Sequence, residues 1–147
     1  MLTATNICLP IAKEIKQIED NTAYISINST VTPLEELNIS REHPKVLTVR
    51  FDDVVINLKH CDVNYKVINN LTAKLIVEFI ERNRSNNFIV HCMAGVSRSA
   101  AVCMFINYVY GHKLKDDFWI LSHPNVFVLG KLLVMHEFIK FNRRNIT

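Results

Sequence analysis

Residues 88–101 read FIVHCMAGVSRSAA, and the architecture follows from them. Phe88 to His91 (FIVH) is a short apolar run of the length of a buried strand. The run AAVCMFINYVY, Ala100 to Tyr110, is apolar on nearly all sides, as expected of a helix in the middle of a domain. A turn holding a single glycine, Gly95, joins the two. At a strand-to-helix junction the first N–H groups of the helix lack partners within it, and the aligned peptide dipoles add positive potential. An oxyanion answers both, so Met93, Ala94, Gly95, Val96, Ser97 and Arg98 are read as a phosphate cradle.

Three side chains give this cradle chemistry. Cys92 stands at its lip, where the same field favours a thiolate, a strong nucleophile. Arg98, six residues on, falls where the chain curls back, and its planar fork can hold two phosphate oxygens side by side. Ser99 puts a hydroxyl in the first helical turn, within reach of the sulfur. Gly95 permits the positive φ that a tight cradle needs. A cysteine before a helix is more often a core residue, and a lone arginine more often a surface ion pair. The three together at this spacing favour the chemical reading.

Outward from this stretch, strands and helices alternate. Asn6 to Leu9 is a short strand candidate, and Pro10 opens a helix to about Asp20 on Ile11, Ile15 and Ile18. Thr22 to Ile27 (TAYISI) alternates as a strand, with one helical turn possible at Leu34 to Leu37 after Pro33. Lys45 to Phe51 (KVLTVRF) is a further strand, ending in Asp52-Asp53 and a polar segment to about Asn64. Tyr65 to about Arg84 reads as a long helix whose stripe is Val67, Ile68, Leu71, Leu75, Ile76, Phe79 and Ile80. Gly111 ends the helix after Arg98, Lys113 to Leu121 reads as helical, and Ser122 with Pro124 opens a last helix to about Asn142. The expectation is one α/β domain spanning 1–147, with a mostly parallel sheet of four to five strands flanked by helices.

Composition agrees with an ordered domain: 147 residues, 49% apolar, with three Gly and four Pro. Seventeen Lys and Arg against fourteen Asp and Glu suit an anionic ligand, but the excess is too small and scattered to argue for nucleic acid. Cys8, Cys61, Cys92 and Cys103 have irregular spacings and no C-x-x-C pair, so neither a disulfide framework nor structural zinc is expected. His43, His112, His123 and His136 carry no ligand spacing, and His60-Cys61-Asp62 reads as a solvated loop. No signal peptide or membrane span is evident, so a soluble cytoplasmic protein is expected.

His91-Cys92-Met93-Ala94-Gly95-Val96-Ser97-Arg98-Ser99 resembles the signature loop of cysteine-dependent protein tyrosine phosphatases: His-Cys, five residues, then Arg and Ser or Thr. The form H-C-x-A-G-V-S-R-S is similar to the dual-specificity branch, especially its compact bacterial and phage members. TAYISI, KVLTVRF-Asp-Asp, the long helix and Pro124-Asn125 extend the likeness over most of the chain, less specifically. The resemblance implies a phosphocysteine intermediate on Cys92, oxygens held by the Met93–Arg98 N–H groups and the Arg98 guanidinium, and Ser99 assisting the second step. His91 would fix the loop and the thiolate's surroundings, and no metal or cofactor is implied. It also implies a general acid on a loop after a strand, which matches the Asp52-Asp53 pair. Asp53 is favoured, because relatives read Phe-x-Asp here. Cys92 follows Asp53 by 39 positions, whereas many relatives have a gap nearer thirty, which Asp62 would satisfy. The excess is read as an insertion in VVINLKHCDVN after Asp53. Cys61 raises the idea of a protective disulfide to the nucleophile, as in some phosphatases of this type.

The expected substrate is a phosphorylated protein, on phosphotyrosine and within reach phosphoserine or phosphothreonine. Two alternatives stand beside it. One is the same chemistry on a phosphoinositide or an RNA 5′ end, against which the loop lacks lysines and has Ser97 where RNA enzymes tend to carry Asn. The other is a catalytically dead phosphate-binding module, although such proteins usually lose the Cys, the Arg or the acid.

Overall fold

The computed structural model describes residues 1–145. In chain order its elements are β1 (Thr3–Ile7), α1 (Leu9–Glu14), β2 (Thr22–Asn28), β3 (Val46–Arg50), β4 (Leu58–His60), β5 (Val63–Tyr65), α2 (Asn70–Arg82), β6 (Asn87–His91), α3 (Arg98–Tyr110), β7 (Lys113–Leu114), α4 (Phe118–Leu121) and α5 (Val126–Arg144). Five strands form one sheet in the order β3-β2-β6-β1-β7, and every neighbouring pair is parallel. This is the α/β domain with a flanked parallel sheet that the alternation of elements implies.

Parallel sheets are covered on both faces, and β2 shows it: all seven of its residues are buried. Its alternation therefore sorts two interiors, not core from solvent. Ala23, Ile25 and Ile27 join the main core with residues of α2, α3 and α5, while Tyr24 joins a smaller cluster with Ile39 and Val46. Phe88, Phe105, Ile76, Ile80 and Ile106 are wholly buried in the main core, each stabilising the fold by about 1.5–3 kcal/mol. At the middle of the sheet, β6 delivers Cys92 to the C-terminal edge between β2 and β1. In open α/β sheets that edge is where ligands bind.

Several boundaries differ from the sequence reading, each for a local reason. The first strand is Thr3–Ile7, not Asn6 to Leu9. Its helix stops at Glu14, not near Asp20, because Ile15 turns extended (ψ 121) and packs with Ile18 against the smaller cluster. No helical turn forms at Leu34 to Leu37. The polar segment after Asp53 contains the antiparallel hairpin β4–β5. The long helix begins at Asn70, capped by the Asn69 side chain, since the N–H groups of Lys66 and Val67 are taken by Asp52 and Asn57. Its buried face is Ala73, Ile76, Val77, Phe79 and Ile80, and Leu71 and Leu75 are exposed. Lys113 to Leu121 is not one helix: Lys113–Leu114 pairs with β1 as an edge strand, and only Phe118–Leu121 is helical. Gly111 ends α3 in the left-handed region (φ 78). The last helix starts at Val126, where Asn125 accepts hydrogen bonds from the N–H groups of Phe127 and Val128.

Candidate active site

The turn between β6 and α3 is held from outside by its carbonyls. Met93 O accepts from Leu9 N (3.0 Å), Val96 O from His123 N (2.9 Å) and Ser97 O from Asn125 N (3.1 Å). Gly95 O accepts from Asn6 Nδ2 (2.7 Å), and the same amide reaches Ser122 Oγ (3.1 Å). Among the described residues, the N–H groups of Met93, Ala94, Val96 and Ser97 donate to no backbone carbonyl, and Gly95 N–H lies 3.3 Å from Cys92 Sγ. Four N–H groups of this turn are thus without a backbone acceptor, the arrangement an anion-binding turn requires.

Gly95 is required by conformation and by space. Its φ is +72, and a Cβ there would lie 2.5 Å from Cys8 N and from Ile7 C, backbone atoms at the end of β1. The loop is therefore pressed directly onto the neighbouring strand.

Cys92 is almost fully buried, and its Sγ lies 3.1 Å from Ser99 Oγ. Arg98 is buried, with Nη1 donating to the Phe51 carbonyl at 2.8 Å. Its Nε is buried without a hydrogen-bond partner among the described residues. Leaving such a donor unmatched costs about 1–3 kcal/mol, more for a charged group. Leu9, Asn28, Ser29, Pro33 and Glu35 line one pocket together with Cys92 and Arg98.

The three candidate aspartates separate cleanly. Asp53 is brought to the loop: its Oδ1 accepts from Ser97 Oγ (2.7 Å) and from Asn125 Nδ2 (2.9 Å). Asp52 is buried and turned the other way, where Oδ1 takes Ser29 Oγ (2.7 Å) and Thr30 N (3.0 Å). Its Oδ2 takes Thr30 Oγ1 and Lys66 N (2.7 Å for the latter). Burial pushes this carboxyl up, but the hydrogen bonds from Thr30, Lys66 and Ser29 outweigh it and hold the group below the usual carboxylate range. Asp62 sits at the β4–β5 turn with φ 64, exposed and, among the described residues, ion-paired only with Lys59. Cys61, beside it, is exposed, and all four cysteines are free thiols.

His91 is buried behind Cys92. Its Nε2 lies 2.6 Å from Ser26 Oγ, and its Nδ1 lies 3.4 Å from the Cys92 carbonyl. Burial lowers its pKa to about 4; the Cys92 carbonyl opposes that shift, and the charges of Arg41 and Arg98 add to it. Among the described residues no three His, Cys, Asp or Glu side chains are grouped to hold a metal ion, and no helix is long and apolar enough to cross a membrane.

Residues that the motif does not name complete the site. Asn6 braces the loop from β1, Asn125 links Asp53 to α5, and Ser26, itself bonded by Arg41, contacts His91. Asn125 stands where a helix cap belongs and so left a trace in the sequence, whereas Asn6 is one of three polar residues in β1 (TATNI) and does not stand out. Arg41 left none, because its partners lie on two strands. No protein-family model matches this chain, and no curated protein sequence does either.

Proposed function

We propose that this chain is a phosphomonoester hydrolase of the cysteine-dependent tyrosine phosphatase type, dual-specificity branch, acting on phosphorylated proteins. The observation that carries this reading is that Arg98, whose Nε is buried without a hydrogen-bond partner among the described residues, lines the same pocket as Cys92, beside a turn whose Met93, Ala94, Val96 and Ser97 N–H groups donate to no backbone carbonyl. A dianionic phosphoryl group matches that set in charge and in number of acceptors.

In the reaction so read, the Cys92 thiolate attacks phosphorus and forms a P–S bond as the ester P–O bond breaks. The leaving oxygen takes a proton from Asp53. Asp53 Oδ1 already accepts two hydrogen bonds, so Oδ2 is the oxygen free to carry that proton. The loop N–H groups and the Arg98 guanidinium hold the equatorial oxygens as charge redistributes. Water then attacks the phosphocysteine and gives its proton to Asp53, while the P–S bond breaks and inorganic phosphate leaves. The Ser99 hydroxyl, within hydrogen-bond reach of the sulfur, stabilises the departing thiolate.

The test is a substrate panel of phosphotyrosine, phosphothreonine, phosphoinositide and 5′-phosphorylated RNA, with Cys92→Ser as the blank. Phosphopeptide turnover should vanish in Cys92→Ser while the folded variant still binds vanadate, and EDTA should leave the wild type unaffected. Retention of more than about 1% of turnover in Cys92→Ser would remove the covalent route, since losing a nucleophile costs several orders of magnitude. Turnover of only the lipid or RNA substrate would move the reading to a non-protein ester.

A further inference from the structure

Ser26 Oγ lies at the centre of a buried polar cluster behind Cys92. Arg41 Nη1 donates to it at 2.9 Å, Asn28 Nδ2 approaches at 3.0 Å, and His91 Nε2 lies 2.6 Å away. A serine hydroxyl has one proton to give and two lone pairs to receive, and a guanidinium can only donate. The Asn28 amide is oriented as well, because its nitrogen also faces the carbonyls of Ser26 (3.1 Å) and Val49 (3.3 Å), which only accept. Asn28 Nδ2 has two N–H bonds for three acceptors, so the one toward Ser26 Oγ is shared with a carbonyl; with Arg41 donating outright and Asn28 through this shared bond, the Ser26 lone pairs are engaged and its proton is left for His91 Nε2. A ring nitrogen that accepts carries no proton of its own. The ring proton must then be on Nδ1, the atom facing the Cys92 carbonyl.

We propose that Arg41, acting through the Ser26 hydroxyl, holds His91 in the neutral tautomer protonated on Nδ1 and so fixes the peptide group of Cys92 where β6 enters the loop. Arg41 is then a positioning residue: its contacts are with Ser26, with Thr48 Oγ1 (2.9 Å) and with the Glu35 carbonyl, not with the sulfur. Those contacts also tie the irregular stretch between β2 and β3 to the sheet, so one side chain sets the His91 ring and the Glu35 wall of the pocket together.

The charged and titratable surroundings of His91 agree. Arg41 approaches from the β2–β3 connection and Arg98 from α3, and both oppose a second proton on the ring. Glu35 shares the pocket but is paired with Lys13 of α1 at 3.0 Å. Tyr24 of β2 lines the apolar side. An imidazolium would aim an N–H at an oxygen with no lone pair left. The bearing on turnover rests on Cys92 being the nucleophile, whereas the tautomer does not.

Two-bond ¹H–¹⁵N correlation spectra of ¹⁵N-histidine-labelled protein read the tautomer directly. Wild-type His91 should show a protonated Nδ1 and a bare Nε2, without titrating between about pH 5 and 8. A protonated Nε2 in that range would overturn the proposal. In Ser26→Ala and in Arg41→Met, which keeps the aliphatic stem, protonated Nε2 should appear and the His91 midpoint should rise by about one unit or more. Arg41→Lys retains a donor and should restore the wild-type pattern. A folded Arg41→Met with wild-type tautomer and titration refutes the role of Arg41. If that variant fails to fold, an unchanged tautomer in Ser26→Ala refutes the relay. Aryl phosphate kcat/KM should fall about tenfold in Arg41→Met and recover in Arg41→Lys; unchanged turnover despite a changed tautomer refutes the positioning role. An inactive wild type with the expected spectrum would instead strike at the proposed function and leave the tautomer assignment standing.

Discussion

Asp52 and Asp53 are neighbours in sequence with opposite tasks, and replacing each by asparagine should expose this. Asp52 receives four donors, two on each oxygen: Ser29 Oγ and Thr30 N on Oδ1, Thr30 Oγ1 and Lys66 N on Oδ2. Asparagine turns one oxygen into an NH₂ group. Whichever way the amide sits, one fixed backbone N–H, of Thr30 or of Lys66, then faces a donor. The hydroxyl on that side can rotate away, but the backbone group cannot. An orphaned buried donor costs about 1–3 kcal/mol, and loss of the charge weakens the remaining bonds, so Asp52→Asn should destabilise by about 2–4 kcal/mol. Asp53 is exposed and accepts from Ser97 and Asn125 through Oδ1 alone, so Asp53→Asn should stay within about 1 kcal/mol of wild type. Urea unfolding at neutral pH reads the first effect. The second is read by kcat/KM on phenyl phosphate, which should fall about 10²-fold or more in Asp53→Asn, with a smaller fall on an activated nitrophenyl ester that needs little protonation. The reasoning is refuted if Asp52→Asn unfolds at the wild-type urea concentration, or if it, and not Asp53→Asn, shows the leaving-group dependence.

Gly95→Ala must take a positive φ and place its Cβ 2.5 Å from β1 backbone, so it should lose about 2–5 kcal/mol by urea unfolding, from strain and overpacking together, along with activity. Asn125→Ala removes the cap of α5 and a tether of Asp53, and should cost about 1 kcal/mol in thermal unfolding with a clear loss of kcat. Asn125→Asp should keep the cap but set a carboxylate against Asp53, so kcat falls while the melting temperature holds. For His91, lowered from 6.5 to about 4, the unfolded chain takes up the proton first. The stability tied to its neutral form is present above about pH 6.5 and is lost as pH falls to about 4, a change on the order of 3 kcal/mol. Unfolding midpoints of His91→Asn across that window should be markedly flatter than wild type.

The parts legible in the sequence are those whose pattern is local. FIVH, TAYISI and KVLTVRF announce strands because β-branched and aromatic runs suit a pleated, buried surface. Gly111 marks the end of α3 because only a residue tolerant of positive φ fits there. Where local pattern competes with distant partners, the reading slips. Tyr65 to Asn69 carries helical periodicity, yet Tyr65 belongs to a hairpin, and the amides of Lys66 and Val67 are claimed by Asp52 and Asn57. Leu71 and Leu75 fit an apolar stripe by spacing but face away from the sheet. The β4–β5 turn was hidden because Cys61 and Asp62 both take positive φ without a glycine. At the site, the loop residues follow one another along the chain, so their spacing spells the geometry. Ser26, Arg41 and His91 meet only through the pairing of β2 with β6, which no single stretch of sequence encodes.

Asp52 also closes a neck. Its N–H donates to the Lys66 carbonyl at 2.8 Å, and its carboxylate accepts from the Lys66 N–H at 2.7 Å. The clasp closes a segment of thirteen residues, 53–65, whose distal part is the β4–β5 hairpin. Asp53 is the first residue past Asp52 and stands two peptide units from Phe51, whose carbonyl Arg98 grips. Chain length beyond Val54 is therefore not felt at Asp53. The hairpin is a spare port in the fold, where a reporter peptide or a foreign loop can be spliced in, because lengthening a loop whose ends are already pinned adds little closure entropy.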